Sequence, residues 1–326
     1  MSTKILPKVK KFDAESWDCT DTMRHWSIPN LVIIAKMADK QPLKIPYKHN
    51  IYDGTAQPAF ITEARMEEIK EKHQSRPDDI FIATYVKSGT TWLQYLVYEI
   101  MGRPQGDYEQ INLAVPWLEE ESQELIDALA SPRIMKTHDK WRWIPKGEGV
   151  KYIYCYRNPK DVAVSYFNHM KLFSGHYDYK GTFDEFVRDV FLAYNCSEQG
   201  YYFDHVAEWL AQRSNPNVLF LTFEDMVEDL NREVRRISSF LGVELQEDRL
   251  KEIVSSGLFS SMKNNQKVNY SWREGVSIEG KSTFIRKGKV GDWTNHLSQE
   301  HSDEIERLVE KHLLPLGATV RYVLTD

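Results

Sequence analysis

Residues able to bind an anion are concentrated at positions 85–92, directly after the apolar run of positions 80–85. This order predicts a strand, a tight turn and the start of a helix. A helix N-terminus offers unpaired backbone N–H groups and the positive end of its dipole. The turn would add one ammonium and three hydroxyl groups, so phosphate or a sulfate-like group is the expected ligand. The predicted turn and helix start comprise Lys87, Ser88, Gly89, Thr90, Thr91 and Trp92.

The order of residues in this turn differs from that of the common nucleotide-binding loop. A Walker loop has its Lys after the second Gly, and the next Ser or Thr binds magnesium. Here Lys87 precedes Gly89, which argues against an NTP–magnesium site. Taken alone, so short a motif is also compatible with an ordinary capped helix start.

Two further segments carry cations where a phosphate could bind. Residues 286–293 place two glycines among three cations, which is typical of a loop whose backbone approaches a phosphate closely. Residues 152–159 form an apolar run that ends in Arg157, and Ser165 follows on the next predicted helix. Arg157 at a strand end and Ser165 in the early turns of that helix could face the same ligand.

Together these segments resemble the motifs of the cytosolic sulfotransferase family, which uses 3′-phosphoadenosine 5′-phosphosulfate (PAPS) as sulfuryl donor. Residues 85–92 are similar to its 5′-phosphosulfate loop, and residues 286–293 are similar to its 3′-phosphate loop. Residues 132–138 end in a Lys-Thr-His sequence that is similar to the family's catalytic strand end. The likeness keeps its order from residue 80 to residue 293, roughly two thirds of the chain.

The resemblance implies a role for each matched residue. Sulfuryl transfer needs cations and one base, because charge builds on the leaving oxygen while the acceptor loses a proton. His138 would be the base, since imidazole titrates near neutrality, and Lys87, Lys136 and Ser165 would complete the catalytic set. No metal is expected, because the lysines supply positive charge. The implied donor-binding residues are Lys87, Ser88, Gly89, Thr90, Thr91, Trp92, Arg157, Ser165, Phe223, Phe259, Arg286, Lys287 and Gly288.

The alternation of strand-like and helix-like runs predicts an α/β fold, with a central, mostly parallel sheet flanked by helices. We expect one sulfotransferase domain over residues 1–326. Residues 1–75 and 265–285 lack strong periodicity, and by the resemblance they would cover the acceptor pocket and the donor. Strands are predicted at 80–86, 133–137, 150–156 and 217–223, and helices at 89–102, 159–172, 183–195, 199–213, 228–241 and, as shorter pieces, 246–264.

Composition agrees with a globular enzyme that acts on a small molecule. The chain has 326 residues, of which 41% are hydrophobic and 12% aromatic, enough for a sizeable core. Its net charge of -6 argues against a nucleic-acid or anionic-membrane partner. The N-terminal residues do not form a signal-peptide pattern and no apolar run is long enough to span a bilayer, which predicts a cytosolic location.

The residues after the expected base depart from the family's pattern. The family usually has Leu-Pro there, whereas this chain has Asp139 and Lys140, followed by Trp141 and Trp143. Glu119, Glu120 and Glu121 follow Trp117 and Leu118 in a region that lines the pocket by the resemblance. Carboxylates and indole faces bind cations, so a polar or cationic acceptor is expected if these glutamates and Asp139 face the pocket. The alternative is that Asp139 points into solvent.

Assembly and reaction outcome stay open at this point. The family's dimer motif is largely lost over residues 294–303, which predicts a monomer or an atypical homodimer. The sulfuryl acceptor could be a hydroxyl or an amine. Sulfation of an alcohol followed by elimination would give a dehydratase, and a P-loop small-molecule kinase is a third possible function.

Overall fold

The computed structural model describes residues 44–273, 277–278, 281–282 and 284–324. The sequence predicted that residues 1–75 cover the acceptor pocket. Residues 1–43 of that segment lie outside the residues that the structure describes. Within the described residues, no helix has both the length and the apolar content needed to cross a membrane.

A short antiparallel hairpin, β1 (His49–Tyr52) and β2 (Thr55–Pro58), precedes helix α1 (Glu63–Lys72). Thr62 caps this helix, because its side chain accepts a hydrogen bond from the N–H of Arg65. The weak periodicity of residues 1–75 gave no sign of these elements, since the strands have only four residues each.

Four parallel strands form the central sheet in the order β4-β3-β5-β6. Every residue of the second strand in this order is buried, as expected for a parallel sheet that helices cover. The carboxyl ends of parallel strands meet at one edge, so the segments that follow them converge. The four strands are β3 (Ile80–Thr84), β4 (Ile134–Thr137), β5 (Lys151–Tyr156) and β6 (Val218–Thr222).

Helices flank this sheet, and a short hairpin and two 3-10 turns complete the described elements. The first helices are α2 (Thr90–Ile100), α3 (Ile111–Ala114), α4 (Gln123–Ala128), α5 (Pro159–Leu172), α6 (Ser174–Tyr177), α7 (Phe183–Phe186) and α8 (Tyr202–Leu210). The later helices are α9 (Phe223–Glu228), α10 (Leu230–Leu241), α11 (Glu247–Gly257), α12 (Phe259–Asn264) and α13 (Gln299–His312). The remaining elements are a π-helix (Val187–Phe191), β7 (Ser277–Ile278), β8 (Lys281–Ser282) and the 3-10 turns Asp292–Asn295 and Leu314–Leu316.

The predicted α/β class with a parallel sheet is confirmed, and three helix predictions need correction. The helix expected at 183–195 changes to a π-helix after Phe186. The helix expected at 228–241 is interrupted at Asp229, which leaves the helical conformation and caps α10 by accepting from the N–H of Arg232. Helix α13 was not predicted, although Ser298 provides the N-cap signal.

The core fixes the chain just after β4. Trp209 on α8 is fully buried and stacks on Tyr154, with ring centroids 4.6 Å apart. Its indole N–H donates to the carbonyl of Asp139 at 3.1 Å, and His205 Nε2 donates to the carbonyl of His138 at 3.0 Å. Because the backbone at 138–139 is held by a buried helix, the position of the predicted base is set by packing.

Candidate active site

The predicted anion-binding turn joins β3 to α2. Lys87 has a φ of 68° and Gly89 a φ of 107°, a left-handed conformation that is costly for a residue other than glycine. No side chain caps the N-terminus of α2, so its first N–H groups remain available to an anion. The hydroxyl of Ser88 is buried and has no hydrogen-bond partner among the described residues. The turn therefore has the donors that the sequence predicted.

Lys87 lies among other cations. Its Nζ atom is 3.5 Å from Nδ1 of His169 and 4.1 Å from the ring centroid of Phe284. Burial and then the charges of Arg157, Lys136 and Arg286 lower the pKa of the Lys87 ammonium to about 7. A cation that loses its proton so easily needs an anion beside it to stay charged, which a phosphosulfate would supply.

His138 follows β4 and has one nitrogen free. Nδ1 lies 2.9 Å from the carbonyl oxygen of Thr84, and a carbonyl only accepts, so Nδ1 carries the proton. Nε2 is then the basic nitrogen. Burial and then the charge of Lys136 lower the pKa of His138 to about 3. The imidazole is therefore neutral at any ordinary working pH, with Nε2 unprotonated.

Lys136 lies two residues before His138, and both side chains line the same cavity, as predicted from their spacing. The Lys136 ammonium stands 4.6 Å from the ring centroid of Trp117 and 5.9 Å from that of Tyr270. Its backbone N–H donates to Pro116 at 2.9 Å. Aromatic faces hold the charge in position without neutralising it.

Glu119, which the sequence suggested as a carboxylate of the acceptor pocket, instead is buried outside the cavity and supports the end of β4. Oε1 of Glu119 accepts from the hydroxyl of Thr137 at 2.5 Å and from the backbone N–H of His138 at 3.0 Å. Burial raises the pKa of Glu119, and burial together with the charge of Glu119 raises that of Asp139 well above its usual value. We infer that the two carboxyls share a proton, because like charges cannot both ionise at close range.

The environment of Asp139 differs from the one that the sequence predicted. Its side chain is 1% exposed, lies against Glu119 and does not line the cavity. Neither the expected contact with an acceptor nor the alternative of a solvated carboxylate is correct. The reason is the anchoring of its carbonyl by Trp209, which turns this segment into the interior.

Arg157 and Ser165 approach the cavity from β5 and α5. The Arg157 guanidinium lies 4.2 Å from the ring centroid of Phe223, and its Nη2 donates to the carbonyl of Lys289 at 3.0 Å. Its buried Nε has no hydrogen-bond partner among the described residues. Arg157 thus joins the strand end to the basic loop 286–293 and keeps a donor for a ligand.

Two aspartates hold the basic loop. Asp161 on α5 accepts from the backbone N–H groups of Gly291 at 2.9 Å and Trp293 at 3.0 Å. Asp292 pairs with Arg286 at 2.7 Å and with Lys287. Burial opposes its ionisation, yet Lys287 and Arg286 hold the pKa of Asp292 well below its usual range. The sequence identified the cations but not the carboxylates that orient them.

Three aromatic residues surround another part of the cavity. Trp92 meets Phe223 edge to face at 5.6 Å, and its indole N–H donates to the carbonyl of Gly257 at 2.8 Å. Phe259 is 37% exposed, so its ring is accessible for stacking. Gly288 has a φ of 63° and a Cβ there would lie 2.2 Å from the Phe259 ring. A side chain at this position would therefore be strained and would displace the Phe259 ring, which favours glycine.

These residues share one cavity of about 220 Å³. Of the predicted site residues, Ser88 is the exception that does not line it. Within the described part of the chain, no group of three His, Cys, Asp or Glu side chains could hold a metal ion. The predicted residues that line the cavity are Lys87, Gly89, Thr90, Thr91, Trp92, Lys136, His138, Arg157, Ser165, Phe223, Phe259, Arg286, Lys287 and Gly288.

Gly288→Ala is expected to weaken binding of PAP, the desulfated product of PAPS, by at least about tenfold, on the scale of one lost charge-assisted contact. The added methyl group must displace Phe259 or the loop. Gly106→Ala is the matched control, because Gly106 has a φ of 80° and open space around its Cβ position. Calorimetric titration of both variants measures the difference, and equal PAP affinities would contradict the prediction.

The sequence matches the family described as sulfotransferase domain over residues 77–317. The chain belongs to the sulfotransferase family. It is 34% identical over 281 residues to sulfotransferase 1B1 of Canis lupus familiaris, covering 81% of this chain and 93% of that protein. It is 36% identical over 258 residues to human (Homo sapiens) sulfotransferase 1E1, covering 74% of this chain and 86% of the relative.

Solved structures agree with this assignment. Retinol dehydratase in complex with retinol and PAP superposes with a TM-score of 0.69 at 26% identity, over 86% of this chain and 93% of that chain. A mouse sulfotransferase complexed with PAP gives a TM-score of 0.67 at 26% identity, over 81% of this chain and 94% of that chain. This sulfotransferase therefore transfers a sulfuryl group from PAPS to a small-molecule acceptor, as the motifs predicted.

Proposed function

We propose that His138 is the general base of sulfuryl transfer and that Lys87, Lys136 and Ser165 act on the transferred group. Nε2 of His138 takes the proton of the acceptor as its oxygen or nitrogen attacks sulfur in line. Lys87 neutralises the charge that develops on the leaving phosphate, Lys136 binds the sulfuryl oxygens, and Ser165 adds a hydrogen bond. The observation that carries this proposal is the tie between Nδ1 of His138 and Thr84, which leaves Nε2 free in a cavity shared with both lysines.

We infer that the remaining cavity residues bind the rest of PAPS. Arg157, Arg286 and Lys287 are cations around a loop in which a side chain at position 288 would collide with the Phe259 ring. They fit a 3′-phosphate, while Trp92, Phe223 and Phe259 fit a purine. The 5′-phosphosulfate would meet the N-terminus of α2. Lysines supply positive charge at the reacting group, so turnover should persist in EDTA.

Loss of a 3′-phosphate contact is expected to weaken PAP binding. Arg157→Ala and Arg286→Ala each remove a charge-assisted contact of about 1.5–3 kcal/mol, which corresponds to roughly 10- to 100-fold in Kd. ATP has no 3′-phosphate, so it should bind far more weakly than PAP to the unaltered enzyme.

Calorimetry with PAP and ATP tests these expectations. Arg235→Ala is the matched control, because Arg235 is half exposed and pairs with Glu247 away from the cavity. Equal affinity for ATP and PAP would overturn the assignment of the 3′-phosphate site. Thermal unfolding of the Arg157 variant separates lost binding from lost folding, since Arg157 also contacts Asp161 at 3.4 Å.

A second candidate function is a dehydratase that sulfates an alcohol and then eliminates sulfate. The similarity to retinol dehydratase, at 26% identity over 86% of this chain, is the observation that favours it. Incubation with an allylic alcohol and PAPS distinguishes the two outcomes, because transfer alone yields the sulfate ester and elimination yields the alkene with free sulfate. The family assignment argues against the P-loop kinase.

The character of the acceptor, the assembly and the location stay predictions. The prediction of a polar or cationic acceptor is not supported by Asp139, which is buried and does not line the cavity. A monomer or an atypical homodimer is testable by sedimentation, and a cytosolic location by fractionation of the source cells. Mass spectrometry of metabolites incubated with enzyme and PAPS would identify the acceptor and whether oxygen or nitrogen receives the sulfuryl group.

A further inference from the structure

A buried glutamate with no role in the proposed sulfuryl transfer lines the same cavity. Glu198 lies between the π-helix and α8, is 2% exposed and donates its backbone N–H to the hydroxyl of Tyr166 at 3.1 Å. The next residue, Gln199, also lines the cavity and has a φ of 56°. A left-handed conformation outside glycine is a cost that functional sites often retain.

Glu198 is the end of a chain of polar contacts that begins at the donor site. Oε2 of Glu198 accepts from the hydroxyl of Tyr177 at 3.1 Å, and that hydroxyl lies 3.3 Å from Nε2 of His169. Nδ1 of His169 is 3.5 Å from Nζ of Lys87. The carboxyl is thus tied to the lysine that we place at the reacting group.

The other carboxyl oxygen of Glu198 is unpaired among the described residues. Oε1 is buried and without a hydrogen-bond partner among the described residues, and Glu198 forms no ion pair with any of them. Burial raises the pKa of Glu198 to about 8, although the nearby hydroxyls of Tyr177 and Tyr166 lower the pKa of this carboxyl. Arg273, which lines the cavity too, pairs with Glu120 at 2.9 Å. The titratable groups around Glu198 are Tyr47, Tyr85, Tyr166, Tyr177 and His169, with Lys87 and Arg273 beyond them.

A buried carboxyl without a cation avoids the cost of ionisation by keeping its proton, and a cationic ligand beside it would let it ionise. We propose that Glu198 binds a protonated amine of the acceptor, so that the substrate carries an ammonium group besides the group that is sulfated. This inference rests on the proposed function, since it assigns the acceptor to the part of the cavity beside His138. The wall there includes the apolar rings of Phe60, Trp117 and Phe173, which suit the body of such an amine.

A neutral acceptor would not ionise Glu198. At pH 7 the carboxyl of Glu198 holds its proton, because its pKa is raised above that pH. Binding of an ammonium ionises Glu198, whose proton leaves to solvent, while the ammonium keeps its own. Binding of an amine should therefore release close to one proton at pH 7 and far less at pH 9. A neutral acceptor should release none.

Tyramine and 4-ethylphenol form a matched pair of probes, because they differ in the amino group alone. With PAPS present, Glu198→Gln should lower kcat/KM for tyramine by at least about tenfold, the scale of one lost charge-assisted contact. The same variant should leave 4-ethylphenol within about twofold. Glu233→Gln is the control, since Glu233 is a buried carboxyl outside the cavity.

Calorimetry of tyramine binding to the PAP-loaded enzyme, in buffers of different ionisation enthalpy, counts the released proton without requiring turnover. The release should be absent in Glu198→Gln. Unchanged tyramine kinetics in that variant, absence of proton release in the unaltered enzyme, or no tyramine binding would each overturn the proposal. The proposed function fails differently: His138→Ala would then turn over both phenols normally, whatever Glu198 does.

Discussion

His138→Ala is expected to lower kcat by roughly 100-fold or more while leaving PAP affinity unchanged. This is the usual scale for loss of a general base. The imidazole lines the reacting part of the cavity, and its Nδ1 is tied to Thr84, so no other atom of this residue has an assigned role in donor binding. Steady-state kinetics and PAP calorimetry measure the two quantities separately.

The pH profile sharpens this expectation. A histidine whose pKa is lowered to about 3 is neutral at every pH above about 5, so the base is present throughout the usual assay range. The acid limb of kcat/KM near pH 6, typical of an ordinary histidine base in the free enzyme, should therefore be missing. His301→Ala is the control, because Nδ1 of His301 lies 3.5 Å from Asp184, away from the cavity. Near-normal turnover of His138→Ala would mean that the base lies elsewhere.

Local sequence patterns explain why the strands, the helix and the turn that position the site could be predicted. Helix α5 begins at Pro159 because Asn158 caps it, and it ends at Leu172, as predicted. Strands β3, β5 and β6 are largely apolar runs, which is typical of buried parallel strands. The anion-binding turn follows the first of them directly. Each of these features depends on residues within one turn or strand of each other.

The contacts of the carboxylates around the site escaped prediction for the opposite reason. Asp161 binds backbone groups about 130 residues away, at Gly291 and Trp293. Glu119 lies 18 residues before the hydroxyl that donates to it. A sequence gives the type of such a side chain but not its partner. For this reason Asp139 was expected at the acceptor and is buried instead. Glu198, which lines the cavity, was not predicted. Only the packed fold decides which carboxyl lines the cavity.

Lys87→Met is expected to lower kcat by roughly 100- to 1000-fold, the scale for removing one group that stabilises transition-state charge. Met keeps most of the apolar stem of Lys87 and removes the ammonium that lies over the Phe284 ring, so the variant removes the charge with little change in side-chain volume. Kinetics at saturating PAPS, together with thermal unfolding, separate the two effects. Lys267→Met is the control, because that lysine is half exposed and pairs with Asp107.

The same residue predicts a pH dependence of donor binding. With its pKa lowered to about 7, the free enzyme loses the Lys87 charge as pH rises, so PAP must then bind together with a proton. The Kd for PAP should increase above pH 7, approaching tenfold per pH unit by pH 9. Below pH 7 the lysine is already charged and this dependence disappears. In Lys87→Met the slope above pH 7 should be absent, and an equal slope in both enzymes would assign the titrating group to a residue other than Lys87.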